Sequence, residues 1–319
     1  MCGLFLILER RRPVDVTRAR ACTQALRHRG PDGMGECSFD WSATGRNDAP
    51  PVSGYAGHTR LSILDPSRRS DQPMRRGQHT LVYNGEMYNF RQVREALSAA
   101  GAHFSSDGDT EVLLELLAKH GLSGLNQAQG MWAFGLVDHG TGTLLAARDR
   151  YGKKPLFYHL DDERLCLASE IAPILRYLER PPRLTDAALD TYLCDGWLFP
   201  RADGSTHLEG IREVPSGAAI RFDLGSWRLA TERWFDMDDH VAQAPARADE
   251  LPELLREAVL SRLVADRKVG LLLSGGVDSS LILSILHASG RGEQVHCFTG
   301  DAGKSDDAQY ARRCIEQLG

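Results

Sequence analysis

Met1-Cys2-Gly3-Leu4-Phe5-Leu6-Ile7-Leu8 opens the chain and places a cysteine directly before an apolar run. A short apolar run of this kind predicts a buried strand, which would hold Cys2 in a fixed position. If the initiator methionine is removed, as small second residues permit, Cys2 carries a free α-amino group beside its own thiol. Because a thiolate is a strong nucleophile and an α-amine titrates at about 7.7–8.0, this one residue would supply both nucleophile and base.

Two polar clusters follow in the first part of the chain, beside the turn and strand signals where site residues tend to collect. Residues 27–33, Arg-His-Arg-Gly-Pro-Asp-Gly, predict a tight turn after a helical stretch. Residues 60–63, Arg-Leu-Ser-Ile, alternate polar and apolar side chains. This alternation predicts a half-buried strand with Arg60 and Ser62 on one face.

Two more polar clusters lie between residues 81 and 111. Residues 81–86, Leu-Val-Tyr-Asn-Gly-Glu, predict a strand that runs into an Asn84-Gly85 turn. Residues 106–111, Ser-Asp-Gly-Asp-Thr-Glu, predict the cap of an amphipathic helix. Its apolar face consists of Val112, Leu113, Leu116 and Leu117. Taken singly, Asn84-Gly85 is explained by a hairpin turn and Asp109 by a helix N-cap, so their functional reading depends on the combined pattern.

Together these clusters resemble the N-terminal glutaminase domain of class II glutamine amidotransferases, in particular glutamine-hydrolysing asparagine synthetases. The similarity runs in order along essentially the whole chain. It is carried by Cys2-Gly3, Arg29-Gly30-Pro31-Asp32, residues 60–63, Asn84-Gly85-Glu86-Met87-Tyr88-Asn89, Asp107-Gly108-Asp109-Thr110-Glu111, Gly130-Met131-Trp132-Ala133-Phe134, the run from Arg148 to Leu156, and Ala168-Ser169-Glu170.

The resemblance implies specific roles in glutamine hydrolysis. Cys2 would attack the side-chain amide and form a thioester, while its α-amine carries the proton to the leaving ammonia. Asn84 and the Gly85 amide would form the oxyanion hole. The other residues implied to bind glutamine are Arg60 for its α-carboxylate, Asp109 and Glu86 for its α-ammonium, and the adjoining Leu61, Ser62, Ile63 and Leu64.

A second constellation lies near the end of the sequence. Residues 268–273 predict a buried strand, Ser274-Gly275-Gly276-Val277-Asp278-Ser279-Ser280 follows directly, and apolar residues then recur at helical spacing. A strand, a glycine loop and a helix form an anion site, because backbone amides and the helix dipole converge on it. The loop lacks the Gly-Lys-Ser/Thr ending of a Walker A motif, which disfavours the common NTPases that transfer a γ-phosphate.

This loop resembles the pyrophosphate loop of N-type ATP pyrophosphatases, so ATP with Mg²⁺ is the expected nucleotide complex, without a prosthetic group. The residues implied to bind ATP are Leu273, Ser274, Gly275, Gly276, Asp278 and Ser279, with Asp278 as a candidate Mg²⁺ ligand. The family resemblance implies that ammonia from glutamine attacks β-aspartyl-AMP to give asparagine. Glutamine, ATP and aspartate are therefore the expected substrates.

Composition limits the number of domains, the binding partners and the cellular compartment that we expect for this chain. At 319 residues with 42% hydrophobic content, the chain can form two domains. A formal net charge of −5 gives no reason to expect a nucleic-acid partner, and no apolar stretch approaches the ~20 residues of a membrane span. With seven cysteines and no Cys-x-x-Cys spacing, disulfides and structural zinc are not expected. We expect a cytoplasmic enzyme.

The predicted boundaries are a glutaminase domain at 2–236, a linker at 237–248 and the beginning of a nucleotide domain at 249–319. The first domain should be an α/β/β/α sandwich of the N-terminal-nucleophile hydrolase type, and the second a parallel α/β fold, adenine nucleotide α-hydrolase-like, that two strands cannot complete. Residues 47–51 are expected to form a loop insertion.

Because family members are longer, we expect the synthetase domain to be incomplete, with this chain alone acting as the glutaminase half. A second chain or a homo-oligomer could then complete it. Three alternatives stay open: an amidotransferase with an acceptor other than aspartate, a stand-alone glutaminase, and a non-catalytic assembly subunit. Retention of Cys2, Arg60, Asn84, Gly85 and Asp109 argues against the last of these.

Overall fold

The computed structural model describes residues 1–42, 50–196, 203–241, 247–301, 303 and 306–318. The chain divides into two compact units, Met1–Ala242 and Gln243–Gly319. The predicted loop insertion at residues 47–51 falls largely outside the described residues, as does the centre of the predicted linker.

The first unit contains two antiparallel six-stranded sheets. The first sheet has the order β10-β8-β9-β1-β3-β2 and the second the order β12-β11-β7-β6-β5-β4. The strands are β1 (Gly3–Arg10), β2 (Gly33–Trp41), β3 (Val52–Arg60), β4 (Met74–Arg76), β5 (His79–Met87), β6 (Gly130–Asp138), β7 (Thr143–Arg148), β8 (Phe157–Leu160), β9 (Arg164–Ala168), β10 (Arg212–Glu213), β11 (Ala218–Asp223) and β12 (Arg228–Arg233).

Alternate residues of β1 divide between two apolar cores. Leu4, Leu6 and Leu8 face the second sheet, where they join a cluster with side chains of β5, β6, β7 and β11. Phe5 and Ile7 point to the opposite face, which is covered by helices. Burial of each of these large apolar side chains contributes about 1.5–3 kcal/mol relative to exposure. This confirms the predicted buried strand and fixes the backbone that follows Cys2.

Helices cover the outer faces of both sheets, which gives the predicted α/β/β/α order of layers. Helices α1 (Val16–Gln24) and α4 (Ile171–Leu178) pack on the first sheet, and α2 (Phe90–Ala99) with α3 (Asp109–His120) cover the second. Two further helices of the unit are α5 (Asp186–Asp195) and α6 (Asp238–Val241). The apolar face predicted for α3 is buried along its whole length.

Two predictions about local structure are wrong, and both concern the site. Strand β3 ends at Arg60, so residues 61–63 form a loop instead of continuing a strand with alternating faces. Asn84-Gly85 is not a turn, because β5 continues to Met87 and pairs with β6 throughout. In both places hydrogen bonding to a neighbouring strand, which local sequence does not report, decides where the strand ends.

The second unit has a parallel pair of strands, β13 (Val269–Leu272) and β14 (Val295–Phe298). Helices α7 (Leu251–Ser261), α8 (Val277–Ala288) and α9 (Asp307–Leu318) accompany them. The expectation that β13 is buried is wrong for one face, because Leu272 is 82% exposed and its partner Phe298 is 58% exposed. Leu273, the next residue, is buried with Leu283 and Ala311.

Candidate active site

Cys2 directly precedes β1, and its thiol contacts the loop that follows β3. The Leu61 amide donates a hydrogen bond to Cys2 Sγ at 3.4 Å, and Sγ lies 3.7 Å from the Leu61 carbonyl oxygen. The next residue, Gly3, is required by close packing, since a Cβ there would stand 2.7 Å from side-chain atoms of both Leu26 and Thr59. Burial raises the pKa of the Cys2 thiol, and the negative charge of Glu86 adds to this effect.

The backbone of Cys2 is held from the opposite side by Arg29. The guanidinium of Arg29 donates to the Cys2 carbonyl oxygen at 3.0 Å and pairs with Glu170 at 3.0 Å. His28 binds the same Glu170 carboxylate at 2.8 Å. The turn after α1 therefore restrains Cys2 through Arg29. His28 contacts Glu170, which in turn pairs with Arg29.

Arg60, the last residue of β3, is buried and held by the loop that follows it. Its guanidinium donates to the carbonyl oxygens of Ser67 at 2.8 Å and Leu64 at 3.2 Å, and it pairs with Asp71 at 2.8 Å. These contacts fix a planar cation at the edge of the site. The Asp65 carbonyl oxygen also accepts from this guanidinium at 2.5 Å, so both terminal nitrogens are engaged within the loop and Arg60 contributes a fixed positive charge to the site.

Asn84 and Gly85 lie inside β5, opposite Ala133 and Trp132 of β6. Asn84 is 1% exposed, and within the described part of the chain neither its Nδ2 nor its Oδ1 has a hydrogen-bond partner. Buried polar atoms are almost always paired, so an unpaired amide at this depth is a candidate for binding a ligand. Gly85 is required by close packing, because a Cβ would stand 2.4 Å from the Met131 carbonyl oxygen.

Asp109 and Glu86 place two carboxylates in the same buried region. Asp109 is the first residue of α3, whose N-cap is Gly108, so the interpretation of Asp109 as a capping residue is wrong. Asp109 Oδ2 instead accepts hydrogen bonds from the Tyr83 hydroxyl and the Met87 amide, both at 2.9 Å. Burial and mutual repulsion raise the pKa of the Glu86 carboxyl, and burial raises that of Asp109. A positively charged group bound beside these two carboxylates would relieve their mutual repulsion.

A single pocket joins most of the residues predicted to bind glutamine. From the predicted set it is lined by Cys2, Arg60, Leu61, Ile63, Leu64, Gly85, Glu86 and Asp109. Two predicted residues do not line it: Ser62, whose amide donates to the Asp32 carboxylate at 2.8 Å, and the buried Asn84. The pocket is also lined by Gln72, Tyr83 and Thr110, which sequence reasoning missed. Tyr83 belongs to a segment singled out in the sequence, whereas nothing around Gln72 marks it as a site residue.

The predicted nucleotide loop of the second unit has the geometry of an anion site. Gly275 adopts φ +75°, and a Cβ there would stand 2.4 Å from Tyr310. Gly276 caps α8, Ser274 Oγ accepts from the Gly276 amide at 3.3 Å, and Ser274 Oγ lies 3.2 Å from Ser279 Oγ. Asp278 is exposed in the first turn of α8. The loop therefore fits a phosphate group at the helix N-terminus.

Two general searches of the structure complete this description. Among the described residues, no group of three or more His, Cys, Asp or Glu side chains could hold a metal ion on its own. In the same part of the chain, no helix is both long and apolar enough to cross a bilayer.

Different protein families match the two parts of the chain. The profile of the glutamine amidotransferase domain matches residues 1–235, and that of asparagine synthase matches residues 250–319. A Methanocaldococcus jannaschii protein, provisionally named asparagine synthetase (glutamine-hydrolyzing) 2, is 27% identical over 99% of this chain and 63% of its own length. Amidase chry2 of Gibberella zeae is 30% identical over 92% of this chain and 44% of its own length.

Asparagine synthetase (glutamine-hydrolyzing) 3 of Bacillus subtilis is 32% identical over 78% of this chain and 41% of its own length. The chain thus spans about half the length of the curated relatives it matches. Among solved structures, glutamine phosphoribosylpyrophosphate amidotransferase from B. subtilis has a TM-score of 0.52 at 18% identity, covering 94% of this chain and 66% of that one. This likeness confirms the fold.

The sequence resemblance is confirmed by these matches. Because the first profile covers 235 of the 319 residues, the chain belongs to the glutamine amidotransferase domain family.

Proposed function

We propose that the first unit hydrolyses glutamine with Cys2 as its nucleophile, after removal of Met1. The thiolate attacks the side-chain carbonyl carbon, the C–N bond breaks, and ammonia leaves with a proton delivered by the Cys2 α-amine. Water then attacks the thioester, the C–S bond breaks, and glutamate and the free thiol are released. In this scheme the amine first takes up the thiol proton and later gives it to the leaving group.

The surrounding residues have complementary roles in this proposal. The Asn84 amide and the Gly85 N–H stabilise the oxyanion, where preorganised donors are worth most. Arg60 binds the α-carboxylate, and Asp109 with Glu86 binds the α-ammonium. Leu61, Ile63 and Leu64 form the wall of the pocket behind the substrate. The observation that carries the proposal is that one pocket is lined by Cys2, by a fixed guanidinium, and by the buried carboxyl of Asp109 and the half-buried carboxyl of Glu86.

The experiment compares Cys2→Ala with Cys37→Ala, a half-buried cysteine of β2 outside the pocket. We expect the purified wild-type chain to begin at Cys2 and to release glutamate and ammonia, with no release by Cys2→Ala and unchanged release by Cys37→Ala. Hydrolysis by Cys2→Ala at the wild-type rate, or full activity of a chain that keeps Met1, would refute the assignment. A coupled assay for glutamate measures the hydrolysis rate, and the intact mass shows whether Met1 has been removed.

For the second unit we propose binding of ATP at residues 273–279, with Ser274, Gly275, Gly276 and Ser279 around the pyrophosphate. Asp278 would hold Mg²⁺ together with phosphate oxygens, since Mg²⁺ is commonly bound by one or two carboxylates plus substrate phosphates. Bound Mg²⁺ would neutralise phosphate charge. The two units together would then form part of a glutamine-dependent asparagine synthetase in which aspartate is activated as β-aspartyl-AMP.

A second candidate acceptor is favoured by a specific observation. Relatives named as amidases, from Gibberella zeae and Penicillium rubens, match this chain at 30% and 29% identity, within the range of those named as asparagine synthetases. An amidotransferase with a carboxylic acid acceptor other than aspartate is therefore the alternative. Once the rest of the synthetase domain is supplied, pyrophosphate release that depends on aspartate supports the first function, and release only with another acid supports the second.

We place this activity in the cytoplasm, where free thiols persist. All seven cysteines are free, including the exposed Cys194. We further propose that additional polypeptide, from the same or a second chain or from another copy, covers the exposed apolar pair Leu272 and Phe298. Size-exclusion chromatography with light scattering of wild type and Leu272→Asp tests the last of these, since the variant should lose a self-association that the wild type shows.

A further inference from the structure

His58 of β3 is a fully buried histidine that the proposed mechanism does not use. It pairs with Leu4 of β1, and residues directly opposite each other in a sheet share a face, so the His58 side chain points toward the second sheet as Leu4 does. An apolar side chain would fill this place without any polar atom to remove from water. The presence of an imidazole between the two sheets therefore requires an explanation from its contacts.

One ring nitrogen of His58 makes a hydrogen bond from the first sheet to the second. Nε2 lies 3.0 Å from the carbonyl oxygen of Tyr83 in β5, and since a carbonyl oxygen only accepts, Nε2 carries the proton and donates. The other nitrogen, Nδ1, is buried, and within the described residues it has no hydrogen-bond partner. Burial lowers the pKa of His58 to about 4, so the ring is neutral at neutral pH. An unpaired ring nitrogen is costly, and its retention is explained by what Nε2 holds.

The backbone groups of Tyr83 lie on an edge of β5 that its neighbour β4 no longer covers. The pairing of β4 with β5 ends at Met74, opposite Leu81. Two residues further along β5, the Tyr83 amide donates to Gln72 Oε1 at 2.6 Å, and the Tyr83 carbonyl oxygen accepts from His58. The side chains of Gln72 and His58 therefore take the place of a neighbouring strand at Tyr83.

The same edge of β5 carries the backbone donor proposed for the oxyanion hole. Backbone groups of alternate residues point to the same edge of a strand, so the N–H groups of Tyr83, Gly85 and Met87 share one direction. Opposite Gly85, the amide and carbonyl of Trp132 are both bonded to Asp149, on the side of β6 away from β5. The Gly85 N–H is thus directed to the open edge, between Tyr83, held by two side chains, and Met87, held by a carboxylate of α3.

At its other end, the hydrogen bond of His58 begins in the strand that lies beside the nucleophile. Gly3, the residue after Cys2, pairs with Thr59, which follows His58 in β3. The Leu61 amide, just beyond the end of β3, donates to Cys2 Sγ at 3.4 Å. The bond from His58 therefore joins the strand beside the thiol to the strand that carries the proposed oxyanion donors.

We propose that His58 is a positioning residue for glutamine hydrolysis, whose Nε2–H fixes the oxyanion donors of β5 relative to the Cys2 thiol. This rests on the proposed function, since it assigns Asn84 and Gly85 to the oxyanion. The tetrahedral intermediate must meet the thiol and these donors at the same time, whereas bound glutamine is held mainly by its two charged ends. A shift between the strands therefore weakens binding of the transition state more than binding of the substrate.

The test compares His58→Met with His58→Gln, because the two new side chains have equal length and only glutamine carries an N–H donor. For His58→Met we expect kcat for glutamine hydrolysis to fall about 10- to 100-fold with KM changed less than about threefold, as misplaced oxyanion donors predict. His58→Gln should restore kcat to within about threefold of wild type, since its amide can donate to Tyr83. If His58→Met does not fold, His58→Asn, whose amide is too short to reach Tyr83, replaces it in the same comparison.

Trp41→Phe is the matched control. Trp41 Nε1 in β2 donates to the carbonyl oxygen of His139, the residue after β6, at 3.1 Å. This bond also joins the first sheet to the second, and neither residue lines the pocket of Cys2. Its loss should lower the Tm by about 2–4 °C and leave kcat unchanged.

Two further measurements separate positioning from a general loss of stability. In an Asn84→Leu background, His58→Met should lower kcat by less than about threefold, because one of the donors that it positions is already absent. Hydrogen–deuterium exchange at residues 81–87 should be faster in His58→Met and as slow as wild type in His58→Gln.

An equal loss of kcat in both backgrounds, an effect on KM alone, or failure of His58→Gln to restore kcat would overturn the inference. A wild-type chain that hydrolyses no glutamine would overturn the proposed function instead. The exchange measurement needs no substrate, so it would still decide whether His58 holds β5 in place.

Discussion

Replacement of Asn84 by leucine separates a structural from a functional role for this residue. Asn84 is 1% exposed in β5, and within the described residues both polar atoms of its side chain have no partner. Leucine has a similar size and no polar atoms. If the amide is kept for the oxyanion, its removal lowers kcat strongly while it stabilises the folded protein without substrate.

The magnitude follows from the cost of burying an unpaired amide, about 1–3 kcal/mol. For a unit of this size, 1 kcal/mol corresponds to about 2–4 °C in Tm. We therefore expect Asn84→Leu to raise the Tm by roughly 2–10 °C and to lower kcat by about 10²–10³-fold, the loss typical of an oxyanion donor. KM should change much less, because the amide interacts mainly with the transition state.

Asn89 supplies a matched control on the same chain. Its side chain donates to the Gln127 carbonyl oxygen and accepts from the Gln129 amide, both at 2.8 Å. Asn89→Leu should therefore lose about 1–2 kcal/mol of stability with kcat unchanged. Differential scanning calorimetry and the glutaminase assay measure both quantities. A destabilised Asn84→Leu that keeps its activity would refute the oxyanion assignment.

Three further predictions concern Glu86, Gly85 and Asp278. Because the pKa of Glu86 is raised in the folded state, ionisation of Glu86 destabilises the fold as the pH rises above the pKa of this group in the unfolded chain. Glu86→Gln should therefore raise the Tm by a few degrees at pH 8 and have no such effect near pH 4. Glutamine binding should weaken in the same variant. Gly85→Ala should lose about 1–3 kcal/mol in chemical denaturation and most activity, whereas Gly135→Ala on β6, where a Cβ would meet no atom closer than 3.4 Å, should be tolerated. Asp278→Asn should weaken fluorescent ATP binding in the presence of Mg²⁺ but not in its absence, and equal weakening in both would contradict the Mg²⁺ role.

Much of the fold follows from the sequence because its signals are local. The run from Leu4 to Leu8 predicts β1, and the spacing of Val112, Leu113, Leu116 and Leu117 predicts the buried face of α3. α3 buries side chains at helical spacing, whereas β1 is a short continuous apolar run because each of its faces packs into a separate core. The family resemblance then supplies the order of layers, which periodicity alone does not determine.

The errors occur where contacts distant in sequence decide the local structure. An Asn-Gly pair ordinarily favours a hairpin turn. In this protein β6 pairs with β5 on both sides of Asn84-Gly85, and the close approach of the two strands at Gly85 requires glycine without a turn. In the same way, the loop after Arg60 bends back to bind the guanidinium, so the alternation in residues 60–63 does not form a strand.

Lys154 shows a different limit of the sequence. Two lysines stand side by side, Lys154 and the residue before it, and no local signal distinguishes the buried Lys154 from its exposed neighbour. The distinction arises because Asp149 winds the loop around its carboxylate and ties it to Trp132, a contact across 17 residues of sequence. Unpaired groups in the same region, the Asn84 amide and one oxygen of Glu86, are costly for the resting protein. Their cost is intelligible if a ligand with an amide and a positive charge completes them.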